Sequence, residues 1–95
     1  MVELEVNRPY LGRRQTAMRA LRYKRPDVTE DAIAEELGVT RSAVSNWMCG
    51  HRRWPDRLTR VLIDELKVEP AQVRRAIGQA ELSRAQLKAW HAAQE

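Results

Sequence analysis

The apolar residues of this 95-residue chain recur every three or four positions from about residue 13 onward, in short runs separated by glycine or proline. That spacing is typical of amphipathic helices, so the pattern predicts a succession of short helices. The first is expected over residues 13–24, because the residue before Pro26 is pushed out of the helical region. Residues 2–6 instead alternate apolar and acidic with period two, which favours a short N-terminal strand.

Four residues mark the ends of the second and third predicted helices. A threonine hydroxyl can accept a hydrogen bond from an unpaired amide of a first helical turn, so Thr29 and Thr40 are expected to cap them. Glycine adopts the left-handed conformation without a steric penalty, so Gly38 and Gly50 are expected to end them. The inner faces of the two helices are predicted to carry Ile33, Ala34, Leu37, Val44, Trp47 and Met48.

Proline and glycine also divide the C-terminal half of the chain. Pro55 and Pro70 are expected in the first turns of a fourth and a fifth helix, where a proline loses no intrahelical hydrogen bond. Gly78 is expected to interrupt the fifth helix, and Ser83 to cap a last one. A chain of this length buries roughly two-thirds of its extended surface, enough for one core. The expected parts are a strand or arm (1–12), a helical domain (13–68) and C-terminal helices (69–95).

Composition excludes several classes of protein. The apolar stretches are far shorter than the about 20 residues of a membrane span, which favours a soluble, cytoplasmic protein. The one cysteine, Cys49, has no partner for an internal disulfide and suits a reducing compartment. His51 and His91 are the only histidines, so no four-ligand zinc site is expected.

The net charge of +4 is distributed in blocks. Residues 6–26 hold seven basic residues and no acid, residues 27–40 hold five acids and no base, and residues 41–60 hold five arginines against one acid. Such blocks can be solvated helix faces that pair with each other. They can equally form an electrostatic footprint for phosphate.

The second and third predicted helices are the most informative unit. Two short helices with about three or four residues between them, one of them glycine, must cross steeply, and the DNA-reading helix-turn-helix is the common reason for that geometry. Ala34 falls where the helices approach most closely, and a larger side chain there would hold them apart. Val44 fills the core from the third helix.

Residues 30–47 resemble the helix-turn-helix of the phage Cro and repressor proteins and their bacterial relatives. The resemblance is carried by Ala34, Gly38, Val39, Val44, Ser45 and Trp47. Residues 50–55 are also similar to the short glycine, basic and proline link that leads into this family's fourth helix. The match covers about residues 13–68 and implies an all-α, lambda-repressor-like helix-turn-helix domain of five or six helices.

The resemblance also implies which residues meet DNA. Arg41 and Ser42 correspond to positions that enter the major groove first, and Ser45 and Asn46 to the next base-facing positions. Their chemistry fits, because arginine can bond both acceptors of guanine and asparagine can pair with adenine. The side chains expected on the DNA backbone are Thr29, Thr40, Arg52, Arg53, Arg13, Arg14 and Arg57.

Glu30 departs from this family, which often has a phosphate-bonding glutamine at the start of the second helix. A carboxylate repels phosphate, and Asp31 follows directly. Either Glu30 turns back to cap its own helix, or this corner stands farther from the DNA than usual. The dense arginines elsewhere offset the repulsion in net charge.

We therefore expect a nucleoid-associated, sequence-specific DNA-binding regulator, a repressor that binds a palindromic operator as a homodimer, since one small motif contacts one half-site. The dimer contacts are expected from Leu82, Leu87 and Trp90 near the C-terminus and from Val2, Leu4 and Val6 in the opening strand, unless the last helix only folds back on its own core. The alternatives are a protein-interaction module whose arginines meet an acidic partner, and an antitoxin that also neutralises a toxin. No catalytic constellation is apparent, so neither an enzyme nor a cofactor is expected.

Overall fold

A computed structural model describes residues 16–94, and its regular elements over that range are all helices. In chain order they are α1 (16–21), α2 (Glu30–Leu37), α3 (Arg41–Met48), α4 (Asp56–Arg60) and α5 (Pro70–Gln94). α4 runs directly into one π-helical turn at Val61–Glu65. The expectation of an all-α domain is confirmed for this range.

Several expectations lie outside the described residues, namely the arm 1–12 with its strand at residues 2–6, and the two phosphate-contact candidates Arg13 and Arg14. Within residues 16–94, no helix combines the length and the apolar character that crossing a membrane requires.

The starts of α2 and α3 are formed by threonine, as predicted. The Thr29 hydroxyl accepts a hydrogen bond from the amide of Ala32 at 3.1 Å, and the Thr40 hydroxyl accepts one from Ala43 at 3.1 Å. Both threonines have extended backbone, as a residue preceding a helix should. The two helices therefore begin where local side-chain chemistry places them.

The end of α2 is formed by Gly38, which lies in the left-handed region with φ 70°. The amide of Gly38 donates to the carbonyl of Glu35 at 3.3 Å, and the amide of Val39 donates to Ala34 at 3.0 Å. These two bonds form a Schellman motif, which satisfies carbonyls left unpaired by the helix end. Only the three residues 38–40 then separate α2 from α3.

The core lies between α1, α2, α3, α4 and the first half of α5. Its fully buried large side chains include Leu21, Ile33, Val44, Met48, Leu58 and Leu62. Burying one such side chain stabilises the fold by about 1.5 to 3 kcal/mol relative to leaving it exposed. Ala34, predicted at the approach of α2 and α3, is 6% exposed.

α5 is one helix of 25 residues, which corrects two predictions. Gly78 does not interrupt it, and Ser83 lies in its interior with no exposed surface. A glycine in a helix costs about 1 kcal/mol relative to alanine, and burial of the helix's inner face offsets that cost. The buried residues of α5 are Val73, Ala76, Ala80, Ser83 and Leu87, spaced alternately by three and four.

Leu82 and Leu87, two of the three residues expected to form a dimer stripe on α5, do not share one face. Leu87 is 6% exposed and packs within its own chain, whereas Leu82 is 46% exposed. Five residues at 100° each place these two side chains about 140° apart around the helix. Leu87 therefore belongs to the interior, and the prediction that it joins Leu82 in an intermolecular stripe was wrong.

α1 ends at residue 21, three residues earlier than predicted. Residues 22–24 form a turn in which Lys24 is left-handed, with φ 57°. The turn places the Arg25 guanidinium against the chain that follows the π-helical turn, where it donates to the carbonyls of Leu66 at 2.6 Å and Lys67 at 2.8 Å. Arg25, one of the seven basic residues within 6–26, therefore makes hydrogen bonds that hold the fold together.

The Arg25 guanidinium also donates to both carboxylate oxygens of Asp27, at 3.1 and 3.0 Å. This hydrogen-bonded pairing lowers the pKa of the Asp27 carboxyl from its ordinary value and raises the pKa of Arg25. Asp27 thereby holds the guanidinium in the position from which it reaches the two carbonyls.

Three glycine-to-alanine variants should separate the roles of these glycines. Gly78→Ala should raise stability by about 1 kcal/mol, because Gly78 is exposed in a helix and an added Cβ meets nothing within 4 Å. Gly38→Ala should cost about 1 to 2 kcal/mol, because it strains a left-handed residue in open space. Gly50→Ala should cost roughly 2 to 5 kcal/mol, because its φ of 85° is combined with a backbone clash.

Urea unfolding followed by circular dichroism measures all three variants against the wild type. A Gly78→Ala protein that unfolds at a lower urea concentration than the wild type would contradict a continuous α5.

Asp27→Asn should lower stability at neutral pH, because it removes the carboxylate that orients Arg25. The native pKa of Asp27 is lowered, so its stabilisation is present above the ordinary pKa of 3.8 and is lost as pH falls through the lower native value. The difference in melting temperature between wild type and variant should therefore shrink as pH falls below about 4. A difference that stays constant from pH 7 to pH 2 would contradict this role.

Candidate nucleic-acid interface

α3 has one face in the core and one face in solvent. Val44, Trp47 and Met48 are buried, whereas Arg41 and Ser42 at its N-terminal end are exposed. Ser45 and Asn46, one turn further on, are half-buried. Of the four residues predicted to read bases, the first two are thus fully accessible and the other two lie at the edge of the exposed face.

Arg41 meets the two acids at the start of α2. Its Nε lies 3.5 Å from a Glu30 carboxylate oxygen and 3.7 Å from an Asp31 carboxylate oxygen, while 68% of the arginine side chain is exposed. The Arg41 Nε–H donates to this Glu30 oxygen, and the Glu30 side chain is only 12% exposed. Thr29 caps α2, and Glu30 therefore has a role that neither sequence alternative included.

This pairing leaves Arg41 able to exchange partners. The pair with Asp31 is exposed on both sides and is worth less than about 1 kcal/mol, so Arg41 can leave Asp31 at little cost, whereas leaving Glu30 costs more because that carboxylate is largely buried. The two acids also keep negative charge beside the N-terminus of α3, where an incoming anion would otherwise bind the free amides. The local arrangement favours a partner that offers Arg41 neutral acceptors over one that offers only a lone anion.

Thr29 and Thr40 use their hydroxyl oxygens as acceptors in the helix caps. A hydroxyl that accepts through a lone pair still has its proton to donate, so each threonine can also donate to a phosphate oxygen. Thr40 is exposed and Thr29 half-buried, which makes Thr40 the more accessible of the two.

The segment after α3 presents further cations. His51, Arg52 and Arg53 are exposed, and the ion pairs among residues 16–94 involve only Arg25 and Arg41. Arg57 differs, because its guanidinium carbon lies 6.0 Å from the centroid of the Trp47 ring, a cation–π distance. Arg52 and Arg53 thus have no carboxylate partner in this part of the chain, while Arg57 covers a core tryptophan.

The C-terminal end of α3 is held by main-chain bonds. Gly50, with φ 85°, forms a second Schellman motif. The amide of His51 donates to the carbonyl of Asn46 at 2.9 Å, and the amide of Gly50 donates to Trp47 at 3.3 Å. The amide of Arg52 donates to Asn46 as well, at 3.2 Å. This turn fixes where the basic segment leaves the helix.

α5 packs directly on that turn, which sequence reasoning missed. The buried Ser83 hydroxyl donates to the carbonyl of Cys49 at 2.6 Å. The Arg84 guanidinium donates to the carbonyls of Gly50 and His51, at 3.4 Å each. A Cβ on Gly50 would lie 2.6 Å from the amide nitrogen of Arg84, so the two backbones are in contact.

The sequence contains a pattern that predicts the buried position of Ser83. This serine occupies the same stripe as Val73, Ala76, Ala80 and Leu87, and a small polar residue within an apolar helical stripe indicates a buried side-chain hydrogen bond. Its preference for helix starts led to the other interpretation. The contact between Arg41 and the acids of α2 has no comparable signal, because residues 30 and 41 lie on different helices.

Within residues 16–94, no three histidine, cysteine, aspartate or glutamate side chains gather as a metal site requires. The chain matches no protein-family model, no curated protein and no solved structure.

Ser83→Ala should destabilise the protein by about 1 to 3 kcal/mol, because it leaves the buried Cys49 carbonyl without the serine donor. Ser42→Ala, an exposed serine on α3, is the matched control and should change stability by less than about 0.5 kcal/mol. Urea unfolding measures both. Equal effects of the two substitutions would show that the Ser83 hydroxyl does not hold α5 to the end of α3.

Proposed function

We propose that this protein binds double-stranded DNA at a specific sequence and regulates transcription, as a repressor. α2 and α3 act as a helix-turn-helix, with α3 as the helix that enters the major groove. One observation carries the proposal: α3 buries Val44, Trp47 and Met48 while its N-terminal Arg41 and Ser42 stay exposed. A helix held on one face and polar on the other suits a groove that admits a helix.

The exposed and half-buried polar residues of α3 contact the bases. Arg41 exchanges the carboxylates of Glu30 and Asp31 for the two acceptors of a guanine, which arginine can bond at once. Asn46 pairs with adenine, and Ser42 and Ser45 donate or accept as the base requires. The neighbouring acids make this exchange selective, because they oppose binding of a phosphate in place of a base edge.

Phosphate contacts come from groups flanking α3. Arg52 and Arg53 follow its C-terminal end with no carboxylate within 4.0 Å among the described residues. Thr40 and Thr29 add hydroxyl donors at the starts of α3 and α2. Arg57 contributes by its charge while it stays on the Trp47 ring. Such contacts position a protein on the duplex and carry no sequence information themselves.

The protein binds as a homodimer, because one motif of this size reads one half-site and two half-sites lie about 34 Å apart. Leu82 is the exposed large apolar residue of α5 and is available to a second copy. Trp90 is half-buried and forms a T-shaped contact with His91 near the end of the helix. Leu82 and Trp90, without Leu87, are therefore the proposed dimer contacts of α5.

Substitutions of base-reading residues and of phosphate-binding residues should change DNA binding in different ways. Arg41→Ala or Asn46→Ala should cost roughly 1 to 3 kcal/mol of binding on the best site and relax the preference at one or two base positions. Arg53→Ala should weaken binding to all sequences nearly alike and reduce the slope of log K against log salt by about 0.9. Arg75→Ala, on α5, is the control for loss of one exposed charge.

Selection of bound sequences from a random duplex pool, repeated with each variant, makes the comparison. A wild-type consensus with two-fold symmetry supports the dimer, whereas a single half-site contradicts it. The proposal that α3 reads sequence fails if alanine at Arg41, Ser42 and Asn46 together leaves the consensus unchanged in a protein still folded by circular dichroism. A wild-type protein with no salt-dependent affinity for any duplex would instead favour an acidic protein partner.

A further inference from the structure

An open cleft of about 700 Å³ separates the segment after α3 from the middle of α5. Trp54, Ile77 and Ala80 are among the apolar residues that line it, and none of the three is exposed. The Trp54 indole N–H donates to the Thr59 hydroxyl at 2.8 Å, which holds the ring in place. The cleft therefore has a preformed apolar floor.

Basic side chains line the cleft on both sides of this apolar floor. Arg52 and Arg53 line it from the segment after α3, and Arg84 and Lys88 line it from α5. No carboxylate of the described residues forms an ion pair with any of them, and the Arg84 guanidinium donates to two main-chain carbonyls at 3.4 Å. Four cations without an ion-pair partner among the described residues give the cleft a positive potential that attracts an anionic partner.

The cleft also contains two acids, Asp56 and Glu81. Both are exposed, and neither neutralises a neighbouring cation by direct contact within 4.0 Å. The net charge of the lining stays positive, at four cations against two carboxylates. The acids reduce the attraction for an anion without removing it.

A sugar-phosphate strand has the chemistry that this cleft accommodates. Its phosphates carry the charge, and the deoxyribose between them presents a largely apolar surface. Arg84 contacts the carbonyls of Gly50 and His51, immediately before Arg52, so the two cationic sides meet at the end of α3. A strand that reaches the segment after α3 would pass next along this side of α5.

We propose that the DNA-backbone surface continues from Arg52 and Arg53 across this cleft onto α5, where Arg84 and Lys88 bind phosphates. This inference rests on the proposed DNA-binding function and gives it two further phosphate ligands. It also assigns α5 a second role, because the helix that holds the end of α3 also contacts the strand beside it.

The test is the salt dependence of binding to the selected duplex and to a random-sequence duplex. Each lost phosphate contact reduces the slope of log K against log salt by about 0.9, so Lys88→Gln should reduce it by about 0.9 and the Arg84→Gln, Lys88→Gln double variant by about 1.8. At about 0.1 M salt, Lys88→Gln should weaken binding to both duplexes roughly eightfold. Base preference should not change, since the contacts are to the backbone.

Two variants provide matched controls. Arg75→Gln removes one exposed charge from α5 at a position about 20 Å from Lys88 along the helix, beyond a Debye length of about 10 Å at 0.1 M salt, and should leave the slope unchanged. Glu81→Gln removes an acid from the cleft itself and should tighten binding to both duplexes. If Arg84→Gln loses affinity because its packing is weakened, it should also unfold at a lower urea concentration than the wild type.

The proposal is overturned if Lys88→Gln leaves the slope unchanged while Arg53→Ala reduces it; DNA binding by α3 would then stand without α5. It is also overturned if Arg75→Gln reduces the slope as much as Lys88→Gln, because the effect would then not belong to the cleft. If the wild type binds no duplex at all, this inference and the proposed function are both wrong. An acidic protein would then be the favoured partner of the cleft.

Discussion

The contact between α5 and the end of α3 is the constraint on which the rest of the structure depends. A Cβ at Gly50 would lie 2.6 Å from the amide nitrogen of Arg84, so no side chain separates the two backbones. The Ser83 hydroxyl donates a hydrogen bond to the carbonyl of the buried Cys49. α3 is thus held at one end by the Thr40 cap and at the other by a helix remote in sequence. This contact sets the direction in which the basic segment leaves α3.

The charges around α3 are arranged in two different ways. Arg41 has carboxylates at 3.5 and 3.7 Å, whereas Arg52 and Arg53 have none within 4.0 Å in the described part of the chain. An anion approaching the segment after α3 therefore meets uncompensated charge, but near Arg41 it also meets two acids. The Arg41–Asp31 pair is exposed on both sides and contributes little to stability, whereas the largely buried Glu30 carboxylate has Arg41 as its ionic partner.

The local elements could be predicted from the sequence, because each depends on residues close together in the chain. Thr29 and Thr40 cap helices through amides three residues away, and Gly38 ends α2 through bonds that span at most five residues. The exposed positions of Arg41 and Ser42 follow in the same way from the helical period, once Val44 and Trp47 are placed in the core. Local sequence therefore suffices for the all-helical class of the described residues and for the face of α3 that is exposed.

The sequence by itself thus determined the helix boundaries around α3, the buried face of that helix and the basic character of the segment after it. Only the tertiary structure decided that α5 is continuous, that Ser83 is buried against Cys49 and that Leu87 faces inward while Leu82 does not. The same residue types at the same local spacing also fit a helix break at Gly78 and a helix start at Ser83. What separates the two outcomes is the free energy of packing against residues more than 30 positions away, to which local propensities do not respond.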